Sequence, residues 1–112
     1  MIQKKFLKTK CQVDFELPAG ISETVESVSL VGDFNDWDTQ ATPMQRKKAQ
    51  IFSVRLNLEP NREYQYRFLV NGQDWHNDWN ADKYVPNPFS GDNSVVSTHQ
   101  TNKAKLAPNV AN

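Results

Sequence analysis

The chain reads as an all-β antiparallel sandwich of about seven strands, and three observations predict it. Apolar and polar residues alternate with a period of two in several stretches, most strictly through Glu63-Tyr-Gln-Tyr-Arg-Phe-Leu-Val70. Turn signals separate these stretches at short intervals, and no segment holds a helical period over two turns. The length of 112 residues suits one small domain with a single core.

Residues 1–10, with Lys4, Lys5, Lys8 and Lys10, read as an N-terminal segment with solvated charges. Cys11, Val13, Phe15 and Leu17 alternate with Gln12, Asp14 and Glu16 in a first strand that Pro18-Ala-Gly20 ends. A polar connection at 21–25 leads to a second strand, Glu26 to Phe34, with Val28 and Leu30 inward. Thr39 to Pro43 is a loop, and Met44–Arg46 a short strand. Lys47-Lys-Ala-Gln50 turns the chain into Ile51–Leu58, where Phe52, Val54, Leu56 and Leu58 alternate. Glu59-Pro-Asn-Arg62 makes the next turn, with Pro60 suited to its first central position.

The central strand, Glu63–Val70, turns Tyr64, Tyr66, Phe68 and Val70 inward and leaves Arg67 on the exposed face. Asn71-Gly72 follows as the strongest hairpin signal in the chain. Asn77 to Asp92, rich in Pro, Asn and Asp, reads as a structured loop, and Asn93 to Thr98 as the last strand. Residues 99–112 have no periodicity and few large apolar side chains and read as a disordered tail, which leaves 11–98 as the sandwich.

Composition narrows the function. Thirteen basic residues balance thirteen acidic ones, so no net field steers the chain to nucleic acid or an anionic membrane. The lone Cys11 lies in an apolar alternation and reads as a small buried side chain. No segment suits a signal peptide or a membrane span, and the expected location is cytoplasmic. There is no phosphate loop, no nucleophile motif and no His/Cys/Asp cluster at metal spacing, so the expectation is no catalysis, no cofactor and no metal. Asp74, Asp78 and Asp82 are spaced by four but lack the pattern of a calcium loop, and read as a solvated acidic loop.

Binding fits better. Two of the three tryptophans, Trp37 and Trp75, sit in polar, turn-rich sequence. Trp37 can be read as a loop indole capping the core or as an exposed platform. Trp75 depends on parity: a two-residue Asn71-Gly72 loop would set it opposite Phe68 and inside, whereas a three-residue loop would set it on the Arg67 face. Turn chemistry favours the first and the polar Asp74-Trp-His-Asn-Asp78 neighbourhood the second.

Three motifs in order, Val28-Ser-Leu-Val-Gly-Asp-Phe-Asn-Asp-Trp37, Tyr64-Gln-Tyr-Arg-Phe-Leu-Val-Asn-Gly72 with a following Trp, and Gly91-Asp-Asn-Ser-Val-Val96, resemble the family-48 carbohydrate-binding modules. These are immunoglobulin-like, early-set domains found on isoamylases and branching enzymes and in the β subunit of AMP-activated protein kinase. The likeness spans about Cys11 to Thr98. It implies a site for α-1,4-linked glucan such as glycogen or starch, in which Trp37 and Trp75 match stacking residues. Arg67 stands where a basic residue bonds sugar hydroxyls, and Asn93 ahead of the final strand.

Two indoles set at an angle can follow a curved glucan, each stacked face supplying roughly 1–2 kcal/mol. Ordering the sugar chain offsets much of this, so weak binding is expected. The implied partners are an α-glucan and a glycan-metabolising enzyme or regulatory protein, with the chain a monomer or weak dimer. A rival reading makes the same aromatic face a protein–protein interaction or scaffold surface. Three departures from the family stand out. Asp74 is one residue more between Gly72 and Trp75 than the kinase subunit has. Trp79 stands where the family commonly has Pro, either a third platform or packed on Pro86 and Pro88. The kinase subunit's Leu/Thr loop over the sugar has no recognisable counterpart, Phe89 or Ser90 lying in its region.

Overall fold

The period-two alternation builds two antiparallel sheets that close on one aromatic core. The computed structural model describes residues 2–18, 25–47, 51–89 and 91–100. The 21–24 connection, most of the Lys47–Gln50 turn, Ser90 and the tail from 101 lie outside the described residues. The strands are β1 (Ile2–Phe6), β2 (Cys11–Pro18), β3 (Val28–Gly32), β4 (Gln45–Arg46), β5 (Ile51–Leu58), β6 (Glu63–Val70), β7 (Asp74–His76), β8 (Lys83–Pro86) and β9 (Asp92–Ser97). One sheet runs β1-β2-β5-β4, and the other β3-β6-β9-β8 with β7 also paired to β6. Among the described residues there is no α-helix, only a 3-10 turn at Asp33–Asn35.

Inward residues of both sheets meet as the alternation requires: Cys11, Val13, Phe15, Phe52 and Leu58 from one, and Val28, Leu30, Tyr64, Tyr66, Phe68, Val70 and Val96 from the other. Tyr66 is at the centre, edge-on to Phe15 at 5.1 Å and to Phe68 at 5.9 Å between centroids. Such edge-to-face pairs set the positive rim of one ring on the negative face of another. Burial of the Tyr66 ring, reinforced by the Asp78 carboxylate that accepts its hydroxyl, raises its pKa far above the ordinary phenol value. Cys11 is fully buried and unpaired, and burial pushes its thiol up, so it is an inert core residue.

Four elements depart from the sequence reading. Residues 2–6, left as part of a solvated segment, pair along β2 from Ile2↔Phe15 to Phe6↔Cys11. Lys4 shares the inward face of this edge strand and is paired to Asp82 at 2.6 Å. A charge inside an edge strand resists addition of a further strand, yet by composition it looks like a solvated lysine. The second strand is shorter than Glu26–Phe34, because the chain leaves the ladder at Gly32 and coils. The 77–92 loop contains a strand, β8, paired to β9 from Lys83↔Val95 to Pro86↔Asp92. Its one proline and one charge, Pro86 and Lys83, sit on an outer strand, where missing ladder bonds cost little. The last strand ends one residue earlier than read, at Ser97, and Thr98 turns inward to donate its hydroxyl to Glu59 O at 2.7 Å.

Candidate carbohydrate-binding face

The hairpin after β6 decides what this face carries. Asn71 and Gly72 both take left-handed backbone, φ 53° and 73°, and Gln73 N–H donates to Val70 O at 3.1 Å. These are the marks of a type I′ turn, the one an Asn-Gly pair favours. The ladder nevertheless resumes at Val70↔Asp74, with Leu69↔Trp75 and Phe68↔His76. Gln73 is therefore an extra residue, so the favoured turn and the odd loop length coexist. Trp75 stands outward, on the Arg67 face, and is 41% exposed. Asn71 also holds the chain entering β3, its side-chain oxygen accepting from Glu26 N at 2.7 Å and Ser27 N at 3.1 Å.

Arg67 lies opposite Val31, and its guanidinium is 5.9 Å from the centre of the Trp75 ring. A cation over an indole face is attracted by the ring quadrupole. Its Nε is buried without a hydrogen-bond partner among the described residues. Beside it, Val31, Leu69 and Val95 point out of the sandwich yet are at most 5% exposed. They form an apolar floor between larger cross-strand neighbours: Arg67 is opposite Val31, Trp75 opposite Leu69 and Gln65 opposite Val95.

The turn bearing Trp37 is built residue by residue in Gly32-Asp-Phe-Asn-Asp-Trp37. Gly32 passes so close to β6 that a Cβ would sit 2.4 Å from Gln65 O and 2.8 Å from Tyr66 Cβ. Phe34 turns into the core against Phe15 at 5.6 Å. Asn35 accepts from Gly32 N at 3.1 Å and donates to Leu30 O and Thr42 Oγ1, each at 2.9 Å. Asp36 and Trp37 both have φ of 57°, a costly conformation for an indole-bearing residue, so this turn is held against its local preference.

Asp33 does the holding on the outer side. Its Oδ1 accepts the Trp37 indole N–H at 2.8 Å and its Oδ2 accepts Gln65 N–H at 2.7 Å. The sequence reading missed Asp33. The available signal was an acid in a Gly-Asp-Phe-Asn turn, but its partner on β6 is distant in sequence.

Asn93 does not stand free. It is 7% exposed, donating to Gln65 Oε1 and accepting from Asn87 Nδ2, each at 3.0 Å. An amide has two N–H groups and two lone pairs, so one N–H and one lone pair remain. The polar row thus runs from Asp33 through Gln65 and Asn93 to Asn87, and ends near Phe89, 93% exposed in the β8–β9 turn. Of the four candidates, Arg67 and Trp75 share one face, the half-buried Trp37 is tied through Asp33 to Gln65 of the same strand, and Asn93 is mostly buried beside Gln65.

Trp79 is elsewhere. It is 74% exposed rather than packed on Pro86 and Pro88. The spaced acids do not converge on one point: Asp78 is buried against Tyr66, Asp82 pairs with Lys4, and Asp74 is exposed on β7. No group of three or more His, Cys, Asp or Glu among the described residues is arranged to hold a metal ion.

No relative among the curated proteins matches the chain. The family model for carbohydrate-binding module 48, the isoamylase N-terminal domain, matches residues 21–89. That span carries the core of the second sheet, the Trp37 turn, Arg67 and the Trp75 hairpin, and the chain belongs to the carbohydrate-binding module 48 family.

Proposed function

We propose that this domain binds α-1,4-linked glucan without chemically altering it, through Trp37, Arg67, Trp75 and Asn93. The observation that carries the reading is the Arg67 guanidinium set 5.9 Å from the ring centre of Trp75, an indole that is 41% exposed on the same face. A glucose ring has C–H faces for the indoles and hydroxyl oxygens for the guanidinium, so one sugar chain satisfies both. Asn93 contributes through its remaining N–H at the rim. Trp37 is anchored beside Gln65 and Trp75 opposite Leu69, about 13 Å apart along β6 at the usual strand rise. The two platforms thus address different residues of one chain rather than a single ring. In this role the domain delivers a glycan-metabolising enzyme or regulatory protein to glycogen or starch.

Tryptophan fluorescence titrated with maltoheptaose and β-cyclodextrin tests the reading. A saturable change is expected, weakened about 5- to 30-fold by Trp37→Ala and by Trp75→Ala, as 1–2 kcal/mol per stacked face requires. A folded parent that gives no response overturns it and leaves protein contact as the use of this face.

A further inference from the structure

The loop at 77–82 closes the side of the sandwich between the edge strands β1 and β8, and it is unusually well fastened. Asp78 is 1% exposed. Its carboxylate accepts from Tyr66 OH at 2.7 Å and from Asn80 N at 3.0 Å, its backbone N–H donates to Ser94 Oγ at 2.9 Å, and its carbonyl accepts from Tyr84 OH. Tyr66 and Ser94 point into the sandwich, so the loop passes β9 on the core side, away from the face that carries Arg67. Asp82 ties the far end of the loop to Lys4 of β1 at 2.6 Å and accepts from Ser97 N at 2.7 Å.

On this base Trp79 stands 74% exposed, one peptide bond from the buried Asp78. Its indole N–H and the side-chain amide of Asn80 have no partner among the described residues. Tyr84, whose hydroxyl braces the loop, is itself 43% exposed. A large apolar ring left in water on a fastened loop costs solvation without returning core packing, and its conformational freedom is already restricted before any ligand arrives.

We propose that Trp79, with Asn80 and Tyr84, is a second sugar-binding position that takes a separate α-glucan chain on the side of the sandwich. This rests on the glucan reading for its ligand class. The other exposed large apolar side chains among the described residues stand on other elements: Leu7 after β1, Trp75 on β7 and Phe89 in the β8–β9 turn. A protein partner calls for a broader contiguous apolar area, whereas one aromatic face beside amide and hydroxyl groups matches a single pyranose. With two positions facing different directions, one domain bridges two glucan chains.

The test is NMR of the three indole N–H signals during titration with maltoheptaose, in the parent, in Trp37→Ala/Trp75→Ala, and in Trp79→Ala. The expected result is a saturable shift of the Trp79 signal that persists in the double variant, with the spectrum reporting that each variant is folded. Trp79→Ala should leave the Trp37 and Trp75 shifts in place while the stoichiometry falls from two to one and glycogen is no longer cross-linked in light scattering. A stationary Trp79 signal while Trp37 and Trp75 move overturns the second position and leaves the first intact. A Trp79 signal that moves only with rising protein concentration overturns it in favour of contact between copies of the chain. If no indole signal moves with sugar, both positions fail.

Discussion

Replacing Asp33 by Asn separates the orientation of Trp37 from its presence. The carboxylate accepts two N–H groups at once, from the Trp37 indole at 2.8 Å and Gln65 at 2.7 Å. An amide is nearly the same size but has one oxygen, so its NH2 must face one of the two donors. One bond is lost, and its partner is left unmet. Both bonds are solvent-accessible, so the loss falls below the range for buried charged hydrogen bonds, at about 1 kcal/mol. For a domain of this size that lowers the melting temperature by about 4–8 °C. If the freed indole must be immobilised again on binding, a further 0.5–1.5 kcal/mol weakens maltoheptaose about 2- to 12-fold. Asp33→Ala removes both acceptors and should exceed Asp33→Asn in both effects. The assays are thermal unfolding by circular dichroism and a fluorescence titration, with Trp37→Ala as the limit. If Asp33→Ala binds as tightly as the parent while Trp37→Ala does not, the carboxylate does not orient the platform and the reasoning fails.

Other outcomes follow from the same geometry. Gly32→Ala, which drives a Cβ against the Gln65 carbonyl, should destabilise the domain by about 1–3 kcal/mol in urea unfolding; an unchanged midpoint would refute the close approach. Deleting Gln73 shortens the hairpin loop to Asn71-Gly72 while leaving Leu69↔Trp75 in register, so affinity should stay within about twofold, and a newly buried Trp75 emission would contradict the ladder. The Arg55 guanidinium, bonded at 2.7 Å and 3.2 Å, holds the Asp14 carboxyl below its ordinary value. The unfolded chain therefore binds the extra proton first as pH falls. The contribution of this pair is complete above about pH 4 and is lost as pH drops through the lowered pKa. It is small because the pair is solvent-exposed. Urea midpoints measured against pH should show a shallower acid limb in Arg55→Ala, and an identical limb would dismiss the pair.

Much of the architecture was legible because side-chain parity is local. Once Tyr64, Tyr66 and Phe68 are taken inward, Arg67 must point out, whatever the strand pairs with. The Asn71-Gly72 turn was equally legible, since both residues tolerate the left-handed backbone they adopt. The motifs around Trp37 and Arg67 were enough to show the family resemblance, and the family model matches across them.

What tertiary structure decided are the matters that need a count or a partner from elsewhere in the chain. The face of Trp75 turned on whether Gln73 joined the ladder, and local sequence supported both answers. Asp33 gained its purpose only where β3 leaves the sheet beside Gln65, which lies 32 residues away. Lys4 looked like a solvated charge until β1 became an edge strand closing over Asp82. Asn93 proved mostly buried because Gln65 and Asn87 flank it. Alternation and turn chemistry act between near neighbours, so they are written in order along the chain. The candidate face is assembled by contacts between distant strands and loops, and composition in any one window carries no record of those contacts.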